Sequence, residues 1–348
     1  MTLKSKVDAV VRHPFILSDI VRGKSRSEIR SKIRAADENH RERQFERECV
    51  QFISQLKSEP HVADPRLGLN KVCCIEDWDN PELQELVPQL QSASFHEKSK
   101  GILTRMPGQI HRKDWEWAMG IIAMRRFGKL NRDCTAIGVG AGKELVLFYL
   151  ANRLGHVRAT DLYNVKAWES FAPADFPENP EKYAPFPYDK GSLVVSRMDA
   201  LKLEFPSNSF DVAFSFSSIE HFGGENHAGA LQSVREMARV LKPGGIAAVA
   251  TEYIINGKEA PDLSNQFYNE HTIYSDLIDK VDTMQLVDRL DLRLTPRTLD
   301  TVMDVRDAEK WDKNEFGSEY KAAHPYILLR SGNILLTSVM LVFKKPVA

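Results

Sequence analysis

Two places in the 348-residue chain hold residues whose types and spacing could do chemistry. The first runs from Thr135 to Glu144, where Gly138, Gly140 and Gly142 alternate between a short apolar run (Cys134 to Ile137) and a helical pattern through Leu145, Val146, Phe148, Tyr149, Ala151 and Leu154. Glycines let the backbone turn sharply and approach a ligand where a Cβ would collide. A helix opening behind them offers that ligand its unpaired N–H groups. Asp161 ends the next apolar segment, roughly 20 residues on, where a carboxylate that grips ribose hydroxyls is expected. The second place is Ser217-Ser218-Ile219-Glu220-His221, directly behind the apolar run Val212 to Phe216. A histidine beside a carboxylate is a candidate proton acceptor near neutral pH. One place is suited to a nucleoside and the other to a reacting partner.

The elements that must position them read as strand, glycine turn and helix, the nucleoside end of a doubly wound α/β domain. A dinucleotide fingerprint needs a small residue at position 143, and Lys143 stands there. Further segments follow in order. Asp199-Ala200 succeeds the apolar run Leu193 to Val195, and Phe205-Pro206 and Phe210-Asp211-Val212 lead into the run ending at Phe216. A helix then ends at Leu241-Lys242-Pro243-Gly244-Gly245, before Ile246 to Ala250.

This ordered set, over about Asn131 to Tyr253, resembles class I S-adenosylmethionine (SAM)-dependent methyltransferases, most of all the group that methylates small molecules and sugars. The resemblance implies a Rossmann-like, doubly wound α/β sheet of seven strands, with Met284 to Leu294 and Asn333 to Lys344 as the closing pair and the last antiparallel. It implies SAM as cofactor, with Gly138, Gly140 and Gly142 around its methionine and ribose. Asp161 would take the ribose hydroxyls, Leu162 would lie against adenine, and Asp199 and Ala200 would meet the adenine edge. Ser217 and Glu144 complete the expected cofactor set. Many members carry an acid at the position of Ala136, and Glu144 is the candidate substitute here. For the acceptor, His221 is the first choice of general base, with Glu220 orienting it or acting as base itself. No metal is expected, and Asp211 is expected only to start its strand.

The composition, 43% hydrophobic and 27% charged with net charge −1, is that of a globular chain, and it argues against nucleic-acid binding through a global field. No apolar run approaches the roughly 20 residues of a membrane span. The N-terminus lacks a signal-peptide pattern, and the four cysteines form no CxxC pair, so the cytoplasm is the expected compartment. Residues 1–95 read as a polar helical extension, an accessory cap or dimerisation element. Ser25-x-x-Glu28 is a candidate capping box, and Pro60, Pro65, Pro81 and Pro88 mark loops. Residues 96–130 read as a connecting segment, then a helix from Asp114 as N-cap to Gly128 as stop, with His111, Arg112 and Lys113 at its entrance near the ligand. Residues 131–348 would form the methyltransferase domain that the resemblance implies, with insertions at 164–192 and 295–332. The aromatic, proline-rich 171–188 stretch is a lid or a covering that replaces a helix. The reading is methyl transfer to a small-molecule or sugar hydroxyl. The alternatives are an RNA or protein methyltransferase docking through the N-terminal helices, and a non-catalytic SAM-binding assembly protein.

Overall fold

The computed structural model describes residues 25–62, 66–94, 108–259, 266–313 and 315–347. The chain divides into two compact units, one ending at Gln55 and the other Leu56–Ala348. The helix α1, Arg26–Ser58, opens on the expected capping box: the Glu28 carboxylate accepts from the Ser25 N–H at 2.8 Å, and Ser25 Oγ accepts from the Glu28 N–H at 3.3 Å. Residues 1–24, with the first three of the basic Arg22 to Arg34 segment among them, and residues 95–107 lie outside the described residues.

The larger unit is built on one mixed sheet. Its strands are β1 (Lys71–Val72), β2 (Thr135–Val139), β3 (His156–Asp161), β4 (Leu193–Arg197), β5 (Phe210–Phe216), β6 (Leu241–Ile254), β7 (Gln285–Leu286), β8 (Met303–Asp304), β9 (Leu329–Ser331) and β10 (Ile334–Lys344). The order is β4-β3-β2-β5-β6-β10-β9-β8, with β1 and β7 also pairing with β10. β2 to β6 run parallel and β10 runs antiparallel to β6, from Leu336 opposite Ile254 to Lys344 opposite Ile246. Short, nearly continuous apolar runs fit strands covered on both faces. The doubly wound α/β class and the antiparallel closing strand are as expected; among the described residues, β1, β8 and β9 join the seven expected strands to make ten.

Two segments differ from expectation. Of the strand expected over Met284 to Leu294, only Gln285–Leu286 pairs, at the Phe343 end of β10. Beyond it β10 pairs with β1, which seats Lys71 opposite Met340 and Val72 opposite Val339. That edge of β10 is taken from outside the expected strand, and Asp291 instead accepts the Val72 N–H. Residues 71–94 therefore belong to the larger unit rather than to an extension. Pro81 opens helix α2 (Pro81–Ser94) and Pro88 lies inside it, while Leu83, Leu86, Val87 and Leu90 are in the main core.

Helix α3, Arg112–Arg126, is capped by His111 rather than Asp114: His111 Nδ1 accepts the Lys113 N–H at 2.9 Å, and Asp114 instead accepts from Gln91. Gly128, with φ of +65°, follows its end. The helix packs across β5, β6 and β10. Trp115 and Trp117 are core residues, and Gly120 lets the Phe216 ring press against the helix backbone where a Cβ would overlap it. Helix α4 (Leu145–Ala151) follows the glycine turn and α5 (Ala228–Val240) connects β5 to β6. Short helical turns run from Glu270 to Lys280. No helix among the described residues is long and apolar enough to cross a membrane.

Candidate functional site

The site lies at the carboxyl ends of the parallel strands, where an open α/β sheet leaves a crevice. At the end of β2, Gly140 and Gly142 hold φ of +63° and +47°, conformations that glycine adopts without a Cβ penalty. A Cβ on Gly142 would stand 2.6 Å from the Phe171 carbonyl oxygen. Gly138 is required for a different reason, since a Cβ there would stand 2.7 Å from the Phe214 ring. The bend is tied down from three sides. Asp161 Oδ2 accepts the Gly142 N–H at 3.0 Å, the Tyr163 hydroxyl donates to the Gly142 carbonyl at 2.8 Å, and Ser218 Oγ donates to the Gly140 carbonyl at 2.7 Å. Asp161 Oδ1 accepts the Leu162 N–H at 2.7 Å. Burial pushes the Asp161 carboxyl above its ordinary range against these backbone donors.

Leu162 is 44% exposed, an apolar side chain left open beside that carboxylate. The Met198 N–H bonds the Asp161 carbonyl at 2.9 Å and so sets Asp199 and Ala200 alongside. Asp199 is exposed and accepts the Leu201 N–H at 2.8 Å. The expected sugar and base residues thus share one strand-end ledge.

Behind the glycine bend is a group of charges that the sequence did not assemble. Lys113 Nζ reaches Glu144 Oε1 at 2.6 Å, Glu116 Oε2 at 3.0 Å and the Phe216 carbonyl at 2.7 Å. Glu116 also accepts from Ser217 Oγ at 2.8 Å and Ser338 Oγ at 2.5 Å. Arg112 forks onto Glu252 at 2.5 and 2.7 Å, the bidentate geometry that a guanidinium makes with a carboxylate. The expected entrance charges Arg112 and Lys113 are therefore committed to internal carboxylates. Glu144 likewise turns its carboxylate to Lys113. Burial opposes every one of these charges. At Glu116 the Lys113 ammonium and the hydroxyl donors outweigh burial and hold the carboxyl below its usual range, whereas at Glu144 and Glu252 burial prevails and the carboxyls are raised.

Glu220 follows β5 and is 1% exposed. Its Oε2 accepts from Thr251 Oγ1 at 2.9 Å, and its Oε1 has no partner among the described residues. Burial, and then the Glu252 carboxylate, push it up to about 8. His221 is half-buried, and its ring lies 4.5 Å from that of Trp168, tilted by 42°. Trp168 belongs to the 164–192 segment, which is also anchored to the glycine bend: the Lys143 N–H donates to the Phe171 carbonyl at 2.9 Å. Ser217 adopts φ of +52° and spends its hydroxyl on Glu116.

Several residues here escaped sequence reasoning. Glu116 sits three residues after Lys113 on the same helix face, and that spacing was its one visible signal. Tyr163, Trp168, Thr251 and Glu252 carry no local pattern that separates them from strand and loop filler. Trp311 and Tyr326 pack with His111, at ring centroid distances of 5.3 and 4.2 Å.

The family model described as a methyltransferase domain matches residues 137–249, from the glycine bend to β6. Solved structures similar to this chain include geranyl diphosphate C-methyltransferase from Streptomyces coelicolor A3(2) (14% identity, 76% of this chain and 98% of that one, TM-score 0.44). Phosphoethanolamine N-methyltransferase 2 from Haemonchus contortus is another (17% identity, 66% and 53%, TM-score 0.43), as is the cyclase SpnF (16% identity, 77% and 96%, TM-score 0.44). Gly138 to Gly142, Asp161 and the strands β3, β4 and β5 all lie within this match, so residues 137–249 are similar to a methyltransferase domain.

Proposed function

We propose that this enzyme transfers the SAM methyl group to a hydroxyl of a small, uncharged acceptor, with Glu220 and His221 on the acceptor side. The observation that carries the reading is the unpartnered Oε1 of the buried Glu220 carboxyl, beside Thr251 at the end of β5. A hydroxyl poised to lose its proton would satisfy that atom.

SAM supplies an already activated methyl when bound. The chain's own residues need to align the acceptor, exclude bulk water and take the proton. Gly138, Gly140, Gly142, Asp161, Leu162, Asp199 and Ala200 would hold the nucleoside. Glu144 and Ser217 would act one step behind them, through Lys113 and Glu116, by fixing the carboxyl ends of β2 and β5. Trp168 and Phe171, 38% and 56% exposed, would close over the site from the 164–192 segment. Arg112 and Lys113 are paired with Glu252, Glu116 and Glu144, so an anionic acceptor would meet carboxyls without a spare cation among these residues. A neutral hydroxyl meets no such cost.

The test is mass spectrometry of metabolite pools incubated with the protein and methyl-labelled SAM. Labelled O-methyl products that disappear with Glu220→Gln support the reading. Label found only on protein, RNA or amines would overturn it.

A further inference from the structure

A second set of polar groups is tied to Glu220 through Gln266, whose N–H bonds the Glu220 carbonyl. His227 opens α5 in the left-handed conformation (φ +58°), directly after Asn226 at +51°. Its backbone N–H donates to Gln266 Oε1 at 2.9 Å, and its Nδ1 lies 2.9 Å from Asp276 Oδ2. Its ring stacks on Tyr268 at 4.2 Å and 19°. Gln266 in turn bonds the Glu220 carbonyl through its N–H at 2.9 Å and reaches the Gly224 carbonyl. Tyr268 is held to β6 by its N–H on the Glu252 carbonyl (3.2 Å) and its carbonyl on the Ile254 N–H (2.6 Å). One short segment, Gln266 to Tyr268, thus ties His227, Glu220 and the end of β6 together.

Three side-chain atoms in this group are buried with no partner among the described residues: Glu220 Oε1, the Tyr268 hydroxyl and His227 Nε2. Leaving one such atom unpaired is costly, and three together mark a place where a ligand completes the bonding. Asp276 is held below the usual carboxylate range: burial works against this, and the His227 and Lys280 bonds outweigh it. The Nδ1 contact to the Asp276 carboxylate orients the imidazole and leaves Nε2 free to bond a ligand hydroxyl. Tyr268 supplies a hydroxyl donor, and Glu220 supplies a carboxyl. The trio can therefore serve several hydroxyls at once. Trp168, exposed and tilted over His221, offers a flat apolar face in the same neighbourhood.

We infer that Glu220, His227 and Tyr268 line the acceptor pocket and that the acceptor is a neutral sugar, held by hydrogen bonds to two or more of its hydroxyls. The inference rests on the methyl-transfer reading. In the step, the acceptor O–H proton passes to the Glu220 carboxylate and the oxygen forms its bond to the methyl carbon. The C–S bond breaks with its electron pair staying on sulfur, which leaves S-adenosylhomocysteine. Asp276 is a positioning residue behind His227.

The experiment pairs two readouts on the full chain. Calorimetry with S-adenosylhomocysteine tests cofactor binding. Transfer from methyl-labelled SAM is then measured to a mixture of methyl glycosides of neutral hexoses, deoxyhexoses and pentoses, against phosphorylated sugars, simple alcohols and amines in separate arms. Label should enter the neutral glycosides. His227→Gln and Tyr268→Phe should each lower kcat/KM by about 10- to 100-fold, the loss expected for one ligand hydrogen bond in a buried site, with S-adenosylhomocysteine affinity within about twofold. Tyr268→Phe removes a single oxygen and decides the matter should the histidine variant fail to fold. Label confined to the other arms, no label in any arm while S-adenosylhomocysteine binds, or variants within about twofold of the parent would overturn the inference and leave the cofactor site standing. Absence of S-adenosylhomocysteine binding in the parent would instead sink the methyl-transfer reading itself.

Discussion

The buried Glu220 carboxyl makes the account measurable before any acceptor is known. With its titration pushed up to about 8 by burial and by Glu252, only about one Glu220 in eleven is ionised at pH 7 in the free protein. A sulfonium about 6 to 8 Å away, at an effective dielectric near 20, favours the carboxylate by about 2 to 3 kcal/mol, or about 1.5 to 2 pH units. Glu220 would then titrate lower in the SAM complex than in the free protein and be mostly ionised at pH 7. SAM binding should therefore release a substantial fraction of a proton at pH 7. S-adenosylhomocysteine carries a neutral thioether in place of the sulfonium and should release close to none. The assay is isothermal calorimetry in buffers of different ionisation enthalpy, where the slope of the binding enthalpy reports protons released. Glu220→Gln should abolish the difference between the two ligands. Equal proton release with both, or a difference that persists in Glu220→Gln, would refute the placement of this carboxyl beside the reacting centre.

Other outcomes follow from the same geometry. Asp161→Ala removes the partner of the Gly142 N–H and the expected ribose grip, and should weaken S-adenosylhomocysteine binding by about tenfold to a hundredfold in calorimetry. His221→Ala, if His221 rather than Glu220 takes the proton, should lower turnover by about 100-fold with cofactor affinity intact; a loss of only a few-fold in single-turnover rates assigns His221 a packing role against Trp168. Arg112→Met leaves the Glu252 carboxylate buried without its fork and should cost about 3 to 5 kcal/mol in urea unfolding. The raised Glu220 titration contributes stability that is fully present below the unfolded value near 4.5 and lost as pH rises through about 8, so thermal melts should show Glu220→Gln gaining on the parent between pH 5 and pH 9. Removing residues 1–55 should leave a folded chain that binds S-adenosylhomocysteine, whereas removing residues 1–95 strips β1 from β10 and Leu83, Leu86 and Leu90 from the core and should yield insoluble protein.

What was legible in the sequence was what is local along it. The glycine bend, the acid ending β3 and the apolar run of β5 are each set by a handful of consecutive residues, and the structure has each of them where it was expected. The glycine pattern concealed two causes: Gly142 answers to its backbone and the Phe171 carbonyl, and Gly138 answers to the Phe214 ring. The pairing of the α3 charges was not legible because Arg112 and Lys113 have no acidic partner at helical spacing except Glu116. Their other partners, Glu252 and Glu144, are brought in by β6 and the glycine bend. Pro81 and Pro88 read as loop punctuation, yet the first position of a helix tolerates proline because its N–H has no intrahelical partner. β1 was hidden for a related reason: two residues carry no period, and only the free edge of β10 makes them a strand. His227 and Tyr268 are 41 residues apart by number, and nothing in their neighbours hints that one stacks on the other.

The most direct measurement is a crystal structure of the chain with S-adenosylhomocysteine. The account places both sugar hydroxyls on the Asp161 carboxylate, the base against Leu162 and Ala200, and the thioether sulfur turned toward Glu220. Density for the ligand elsewhere, or a crevice that stays empty at saturating ligand, would contradict it.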